Sequence, residues 1–159
     1  MFKRMGDCVE TSMIQVLIQV AAGSYDRNFY NEKTLEYLET RRIGRPYPYP
    51  YGFVIGTRAA DDDCVDCYLI TSERLAPGTI VECEPIGLLL QDEDGEVDHK
   101  VLAAIPGQAV TLGQELLREL QEFIYAVFAQ YPDMRVRVGP ILPREAALQH
   151  LQEYGPAKH

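Results

Sequence analysis

The chain is organised around one acidic stretch, Asp61-Asp62-Asp63-Cys64-Val65-Asp66-Cys67, and a second acidic run occupies residues 92–98. Carboxylates at this density repel one another, and burying one of them without a partner is strongly unfavourable. A bound cation would relieve that repulsion. The alternative is that both runs are solvated loops, which is the usual state of an acidic run.

The distribution of charge favours the cation. The chain has 24 acidic and 15 basic residues and a formal net charge of −9. The two acidic runs contain nine carboxylates, and the remaining 15 acidic residues balance the 15 basic ones. The acidity is therefore confined to two short stretches, which indicates a cation site rather than a general aid to solubility. The sequence contains no basic stripe or aromatic RNA-binding motif, so we expect no nucleic-acid partner.

The length of 159 residues and the 47% apolar composition predict one folded domain spanning residues 1–159. Residues 1–7 lack the apolar segment of a secretory signal, and no apolar run reaches the length of a membrane helix. We therefore expect a cytoplasmic protein without a membrane partner.

The four cysteines (Cys8, Cys64, Cys67 and Cys83) are predicted to be free thiols. Cys64 and Cys67 form a Cys-x-x-Cys pair, but structural zinc would need a second such pair or two suitably spaced histidines. A redox pair would normally open a helix, whereas this pair lies in an acidic, strand-like context. Because the pair flanks Asp66, redox sensitivity of a metal site there stays open as an alternative.

Periodicity predicts many short strands followed by two helices. The predicted strands cover residues 12–20, a hairpin at 29–38, 53–55, 65–70, 79–90 with a bend at 85–87, 100–105 and 134–138. The prolines within 46–52 predict a stiff extended segment outside any helix or central strand. A capping box at Thr111 and Gln114 predicts the first helix, and Pro143 opens the second. The fold class is α+β and mainly β, with a small twisted sheet or barrel and helices packed outside it.

The acidic runs suit hard cations. In a loop that turns into a strand, Asp61 and Asp66 could converge on one ion while Asp63 points elsewhere, and oxygen ligands without His or Cys select Mg²⁺, Mn²⁺ or Ca²⁺. The EF-hand frame is absent from both runs. Several carboxylates around divalent cations are typical of phosphoryl chemistry, in which Asp63 could accept a proton from water. Lys100 and a tyrosine of the proline-rich segment, Tyr47 or Tyr51, would then hold phosphate.

With these residues in place, the sequence resembles the family I soluble inorganic pyrophosphatases. The resemblance lies in residues 61–67, in Tyr-Pro-Tyr-Pro-Tyr-Gly at 47–52, in Pro85-Ile86-Gly87 and in Asp98-His99-Lys100-Val101. It implies a small five-stranded closed barrel (OB-like) with flanking C-terminal helices. It also implies Mg²⁺-dependent hydrolysis of pyrophosphate to two phosphates by a metal-bridged water that an Asp base activates, with Mn²⁺ or another divalent cation as the alternative metal. Members of the family self-associate, so a homo-oligomer is expected.

The resemblance also assigns roles to residues. It makes Asp63 the general base, and it makes Asp61, Asp66 and Asp98 metal ligands, joined by Glu93 or, with one extra loop residue, by Asp92. The residues that it places on phosphate oxygens are Lys100, Tyr51, Tyr131, Arg27 and either Arg41 or Arg42.

Four positions depart from the family pattern. Gln19 and Phe29 stand where the family has glutamates, Pro132 stands where it has a lysine, and Arg27 replaces a lysine. An arginine is a planar fork rather than a point charge, so the replacement alters how phosphate is held. We therefore expect weaker activity than is usual for the family or a shifted substrate preference. The alternative function is a catalytically weakened module that binds divalent metal or phosphate. Of the histidines, His99 is expected to be structural and His150 to lie at the surface.

Overall fold

The computed structural model describes residues 13–58 and 63–155. Within these ranges the chain forms nine strands and two helices. The strands are β1 (Ile14–Val20), β2 (Asp26–Tyr30), β3 (Tyr37–Arg42), β4 (Tyr51–Val54), β5 (Asp66–Leu69), β6 (Ile80–Glu93), β7 (Glu96–Val97), β8 (Lys100–Ala104) and β9 (Val136–Pro143). The helices are α1 (Gln114–Phe128) and α2 (Arg144–Glu153). Neither of these two helices is long and apolar enough to cross a membrane.

Five strands form a closed ring in the order β1-β4-β5-β8-β6, and β6 pairs back onto β1. β6 can contact β1, β8 and β9 because it has 14 residues and a register shift between Pro85 and Gly87, where the sequence predicts a bend. β5 and β8 are parallel, and their register places Asp66 opposite Lys100. β2 and β3 form a separate antiparallel hairpin. The predicted mainly-β fold with a five-stranded ring and two C-terminal helices is confirmed.

Both faces of the ring are covered, because successive side chains of a strand point to opposite faces. On β8, Val101 and Ala103 belong to a core cluster that includes α2, whereas Leu102 belongs to a cluster that includes α1. Lys100 shares the face of Leu102, and Asp66 shares the face of Tyr68. The Asp66 carboxylate of the acidic stretch therefore lies on the α1 side of the ring.

The prediction for the proline-rich segment is partly wrong. Pro46–Pro50 lies outside the strands, but Tyr51 and Gly52 open β4, a central strand between β1 and β5. No proline follows Pro50 in this strand, so its backbone N–H groups are available for the ladder. A Cβ atom at Gly52 would overlap the carbonyl oxygen of Leu17, so β1 and β4 approach as closely as a glycine allows.

Two further expectations are wrong. The N-cap of α1 is Gly113 with no side-chain hydrogen bond, so Thr111 and Gln114 do not form the capping box. His150 is only 8% exposed, because α2 packs it against the ring, where it contacts His99 with ring centroids 5.6 Å apart. His99 has the expected structural role, since its Nδ1 atom lies within hydrogen-bonding distance of the backbone of Gln91.

Candidate active site

Lys100 is the centre of the site. Its ammonium donates hydrogen bonds to Asp66 Oδ2 at 2.7 Å, to Asp98 Oδ2 at 3.0 Å and to the Tyr51 hydroxyl at 3.1 Å. The residue is only 5% exposed. Burial lowers the pKa of Lys100, but the nearby carboxylates and phenols raise it by more, so the ammonium form is favoured well above the ordinary range. The parallel β5–β8 register creates this cluster, since it sets Asp66 beside Lys100.

A second pair of carboxylates lies beside this cluster. Glu93 ends β6, and Asp98 lies between β7 and β8 after the turn of Asp94 and Gly95. Burial, and then the Asp98 carboxylate, raise the pKa of Glu93 to about 8. Burial also raises the pKa of Asp98, but Lys100 and the hydrogen bond from Glu93 lower it below its ordinary value. The two carboxylates therefore hold one proton between them near neutral pH.

Asp92 and Glu93 point in different directions because they are neighbours on a strand. Glu93 lines the cavity with Asp98, whereas Asp92 pairs with the exposed Arg137, its Oδ2 atom 3.4 Å from Nη2. Asp92 contributes to a different, outer groove.

These groups surround one cavity of about 310 Å³. Its lining combines four carboxylates, two cations, four phenols, one amide and an apolar wall. The lining residues are Asp63, Asp66, Glu93, Asp98; Arg27, Lys100; Tyr47, Tyr51, Tyr68, Tyr131; Gln91; and Ile43, Phe123, Ile124, Val127, Phe128, Met134. Asp61 lies outside the described residues. The structure therefore brings together every predicted site residue that it describes, with the exception of Arg41.

Arg27 reaches the cavity from β2. Its guanidinium lies 5.4 Å from the ring centroid of Tyr51 and 5.1 Å from that of Phe29. Burial lowers the pKa of Arg27, but Tyr51, Tyr47 and Asp66 raise it by more, so the net shift is upward. Its buried Nε atom has no hydrogen-bond partner. A guanidinium with a buried, unsatisfied donor is suited to an anionic ligand.

Arg41 does not line the cavity. It lies directly opposite Arg27 across the β2–β3 hairpin, but its side chain is 67% exposed, pairs with Glu39 at 2.7 Å and lies over the Phe29 ring. Arg42, the other candidate, is also exposed, and it pairs with Asp26. Tyr131 lines the cavity at its rim and is 49% exposed.

The departures from the family pattern have structural consequences. Gln19 is buried at the end of β1, where its backbone oxygen accepts a hydrogen bond from the Asn28 side chain at 2.7 Å. Phe29 lies beneath the guanidinium groups of Arg27 and Arg41. An apolar ring therefore supports the cations at a position where a carboxylate would pair with them.

The described cysteines are free thiols, as predicted, and Cys8 lies outside the described residues. Cys67 and Cys83 are buried in the core, where burial raises the pKa of both thiols. Cys64 is half-buried, and burial together with Glu32 raises its pKa to about 11. Raised pKa values disfavour the reactive thiolate, which argues against redox chemistry at these positions.

The donor set fits a hard divalent cation. Asp63, Asp66, Glu93 and Asp98 offer only oxygen ligands, and a bound cation would displace the proton that Glu93 and Asp98 hold between them. Among residues 13–58 and 63–155, no three acidic, thiol or imidazole groups form a ready-made metal centre. The carboxylates of Asp66 and Asp98 instead share the Lys100 ammonium.

Sequence reasoning missed several contributors to the site. Gln91 and the apolar residues of α1 gave no local signal, because only the packing of α1 against the ring brings them to the cavity. Tyr47, one of the two tyrosines proposed to hold phosphate, is buried, and its ring packs against those of Tyr51 and Phe123. Glu32 lies in a hairpin turn, yet it contacts Cys64 in the acidic stretch.

Comparison with known proteins gives consistent results. A family profile described as "Inorganic pyrophosphatase" matches residues 16–154. An inorganic pyrophosphatase of Nostoc sp. is 37% identical over 94 residues, which cover 57% of this chain and 55% of the relative. One from Synechocystis sp. is 29% identical over 145 residues, which cover 84% of this chain and 82% of the relative. The aligned region spans about half the length of the Nostoc relative and of others of its kind.

Solved structures share the fold over nearly the whole chain. An inorganic pyrophosphatase from Neisseria gonorrhoeae superposes with a TM-score of 0.82 at 25% identity, covering 92% of this chain and 91% of the other. One from Thermus thermophilus gives 0.79 at 25% identity, covering 89% and 88%. The family profile covers most of the chain, and the chain also has the ring, the two helices and the acidic cavity. This chain therefore belongs to the inorganic pyrophosphatase family.

Proposed function

We propose that the chain hydrolyses inorganic pyrophosphate to two phosphates with Mg²⁺ as its cofactor. One observation carries the proposal: four carboxylates and two cations line one cavity of about 310 Å³ in a chain of this family. Carboxylates alone would repel a phosphate, and cations alone would bind it without turnover. Both kinds of group together are what phosphoryl transfer requires.

Asp66, Glu93, Asp98 and the undescribed Asp61 would hold the cation. When bound, Mg²⁺ supplies positive charge that polarises the phosphoryl group and offsets the charge on the leaving phosphate. Lys100 keeps Asp66 and Asp98 oriented in the absence of the ion through its two short hydrogen bonds.

Asp63 is the proposed general base. It lines the same cavity and lies three residues before Asp66, so it can accept a proton from the attacking water. Arg27, Lys100, Tyr51 and Tyr131 would hold phosphate oxygens. The apolar wall from α1 limits the entry of water, which strengthens these contacts.

We propose that turnover is lower than is typical of the family. Pro132 replaces a cation, so one contact with phosphate is lost, and Phe29 and Gln19 replace carboxylates that would pair with cations of the site. Losing one contact made in the transition state costs roughly a hundredfold in rate. Arg27 compensates in part as a planar fork with an unsatisfied Nε donor.

The substitution Asp63→Asn tests this function. Because the amide cannot accept the proton, kcat for pyrophosphate should fall by about 10²- to 10⁴-fold. Mg²⁺ affinity, measured by isothermal titration calorimetry, should change little. Asp133→Asn, at an exposed position outside the cavity, is the matched control and should behave like the wild type. An Asp63→Asn protein with wild-type kcat would contradict the assignment of the base.

The alternative function is a module that binds divalent metal or phosphate without turnover. The retention of four cavity carboxylates favours it, because these can hold a cation even where Pro132 removes a contact with phosphate. Under this alternative, Mg²⁺ and phosphate bind to the wild-type protein, phosphate release stays at background, and Asp63→Asn changes neither.

A further inference from the structure

The tip of the β2–β3 hairpin contacts the acidic stretch through Glu32. One carboxylate oxygen of Glu32 accepts the backbone N–H of Cys64 at 2.7 Å. The Cys64 thiol also forms a hydrogen bond with the same carboxylate. Glu32 does not line the catalytic cavity; it lies in a separate groove on the other side of the acidic stretch, with Thr57 and Cys64. Glu32 can therefore act on the reaction through the backbone of the acidic stretch and through its charge, which interacts with Asp63 and Asp66.

The hairpin presents this carboxylate from an ordered turn. Asn31 Oδ1 accepts hydrogen bonds from the N–H groups of Lys33 and Thr34, both at 2.9 Å. The N–H of Leu35 donates to the Asn31 carbonyl at 2.7 Å. Glu32 thus lies within a turn whose neighbouring amides are all held by Asn31, which limits the number of positions its side chain can adopt.

Two consecutive amides are held directly after Asp63. Glu32 accepts the first, from Cys64, and the Thr57 hydroxyl accepts the second, from Val65, at 2.8 Å. Thr57 in turn donates to the Val54 carbonyl at 2.7 Å, so it is tied to the last residue of β4. The neutral contact ties the acidic stretch to the ring, and the charged contact ties it to the hairpin.

The same hairpin carries Arg27 into the cavity. Arg27 lies on β2, and Glu32 follows two residues after the end of that strand. A connection at Glu32 therefore fixes the distance between a cation of the cavity and the carboxylate of Asp63. Small displacements matter here, because a misplacement of about 1 Å can cost on the order of a hundredfold in rate.

We propose that Glu32 is a positioning residue for the reaction. By accepting the Cys64 N–H, it fixes the position of Asp63 relative to Arg27. The proposal rests on the proposed function for its kinetic consequence, and on the Glu32–Cys64 contact for its structural one.

The test compares Glu32→Ala and Glu32→Gln in the full chain. Glu32→Ala removes the acceptor, so kcat for pyrophosphate should fall about 10- to 100-fold while KM changes little. Glu32→Gln retains an acceptor oxygen and should recover most of the loss. Glu36→Ala, an exposed glutamate of the same hairpin, is the matched control. Cys64→Ala removes the thiol but keeps the N–H, so it should retain a kcat near that of the wild type.

Two further measurements separate positioning from general destabilisation. Hydrogen exchange at the Cys64 amide, without metal or substrate, should accelerate in Glu32→Ala while the Val65 amide stays protected. In an Asp63→Asn background, Glu32→Ala should lower kcat by a smaller factor than in the wild type, since one of the two residues that it positions is already lost.

A folded Glu32→Ala protein with unchanged Cys64 exchange overturns the proposal, as does an equally large loss of kcat in the Asp63→Asn background. If the wild type releases no phosphate from pyrophosphate, the proposed function fails, and the exchange measurement still decides whether Glu32 holds the stretch.

Discussion

At the scale of residues, the alternation of side chains along β5 determines which residues of the acidic stretch face the cavity. Asp66 enters the ring on the face of Tyr68 and pairs with Lys100, whereas Cys67 points into the core between the ring and α2. Asp63 precedes the strand and lines the cavity from the loop. The motif and its resemblance predicted these residues, because their spacing within a few positions of one strand determines where they point.

The choice between Asp92 and Glu93 could not be made from the sequence. The two residues are adjacent, so a shift of one position exchanges which of them faces the cavity. β6 carries a register shift against β9 between Leu89 and Gln91, where the sequence predicted none. Only the folded register orients Glu93 toward Asp98.

We predict that Glu93→Gln weakens stabilisation by Mg²⁺ and that Asp92→Asn does not. A ligand at 100 times its Kd stabilises the folded state by about 2.7 kcal/mol. For a chain of this size that corresponds to an increase in Tm of roughly 5–10 °C. The thermal shift between EDTA and Mg²⁺ should shrink in Glu93→Gln and persist in Asp92→Asn, the matched neighbour on the opposite face. A full shift in Glu93→Gln would remove it from the ligand set.

We also predict that Lys100→Met destabilises the metal-free protein. Its removal leaves the largely buried carboxylates of Asp66 and Asp98 without a cation, which costs about 3 kcal/mol in unfolding free energy. Urea denaturation in EDTA measures this loss. Lys33→Met, on the exposed hairpin turn, should change stability by less than about 0.5 kcal/mol. An unchanged urea midpoint for Lys100→Met would show that the ion pairs contribute no net stability.

At the scale of elements, the sequence predicted most strands and both helices, and the misses have local causes. The N-cap of α1, Gly113, provides no side-chain hydrogen bond. The start of the helix is therefore determined by packing of its apolar face rather than by a capping box. The turn between β6 and β7 was not predicted, although Asp94-Gly95 is a strong signal for it. Both residues have positive φ, 53° and 85°, as a tight hairpin turn requires.

The close approach of β1 and β4 leads to a further prediction. Gly52→Ala would place a methyl group against the Leu17 carbonyl oxygen, which belongs to the backbone and cannot rotate away. The ring would have to open at this pair, so the unfolding free energy should fall by about 3 kcal/mol or more. Chemical denaturation measures the change.

Gly113→Ala is the control for this change, because its nearest contact is an ordinary 3.6 Å to Thr111 Cγ2. It should cost about 1 kcal/mol or less, as expected for alanine at an N-cap. Equal losses in the two variants would contradict the close approach of β1 and β4.

At the scale of the whole molecule, the arrangement of the ring and the two helices explains why acidic residues are concentrated in two short stretches. The α1 side of the ring provides one cavity with four of the carboxylates, and the other side is filled by apolar contacts with α2. The α+β class and the position of the acidic runs at strand ends were predictable, because both follow from short-range patterns. The closure of β6 onto β1 was implied only by the resemblance, and the position of α1 over the cavity was not predicted, since both depend on contacts between distant segments.

Phosphate release from pyrophosphate by the purified chain is the most direct test of the account. With Mg²⁺ the protein should release two phosphates per pyrophosphate at a rate above background, and EDTA should abolish the release. Arg27 and Lys100, with four carboxylates in the same cavity, are the basis for this expectation. Release that stays at background with Mg²⁺, from a protein shown to be folded by circular dichroism, would contradict the proposed function.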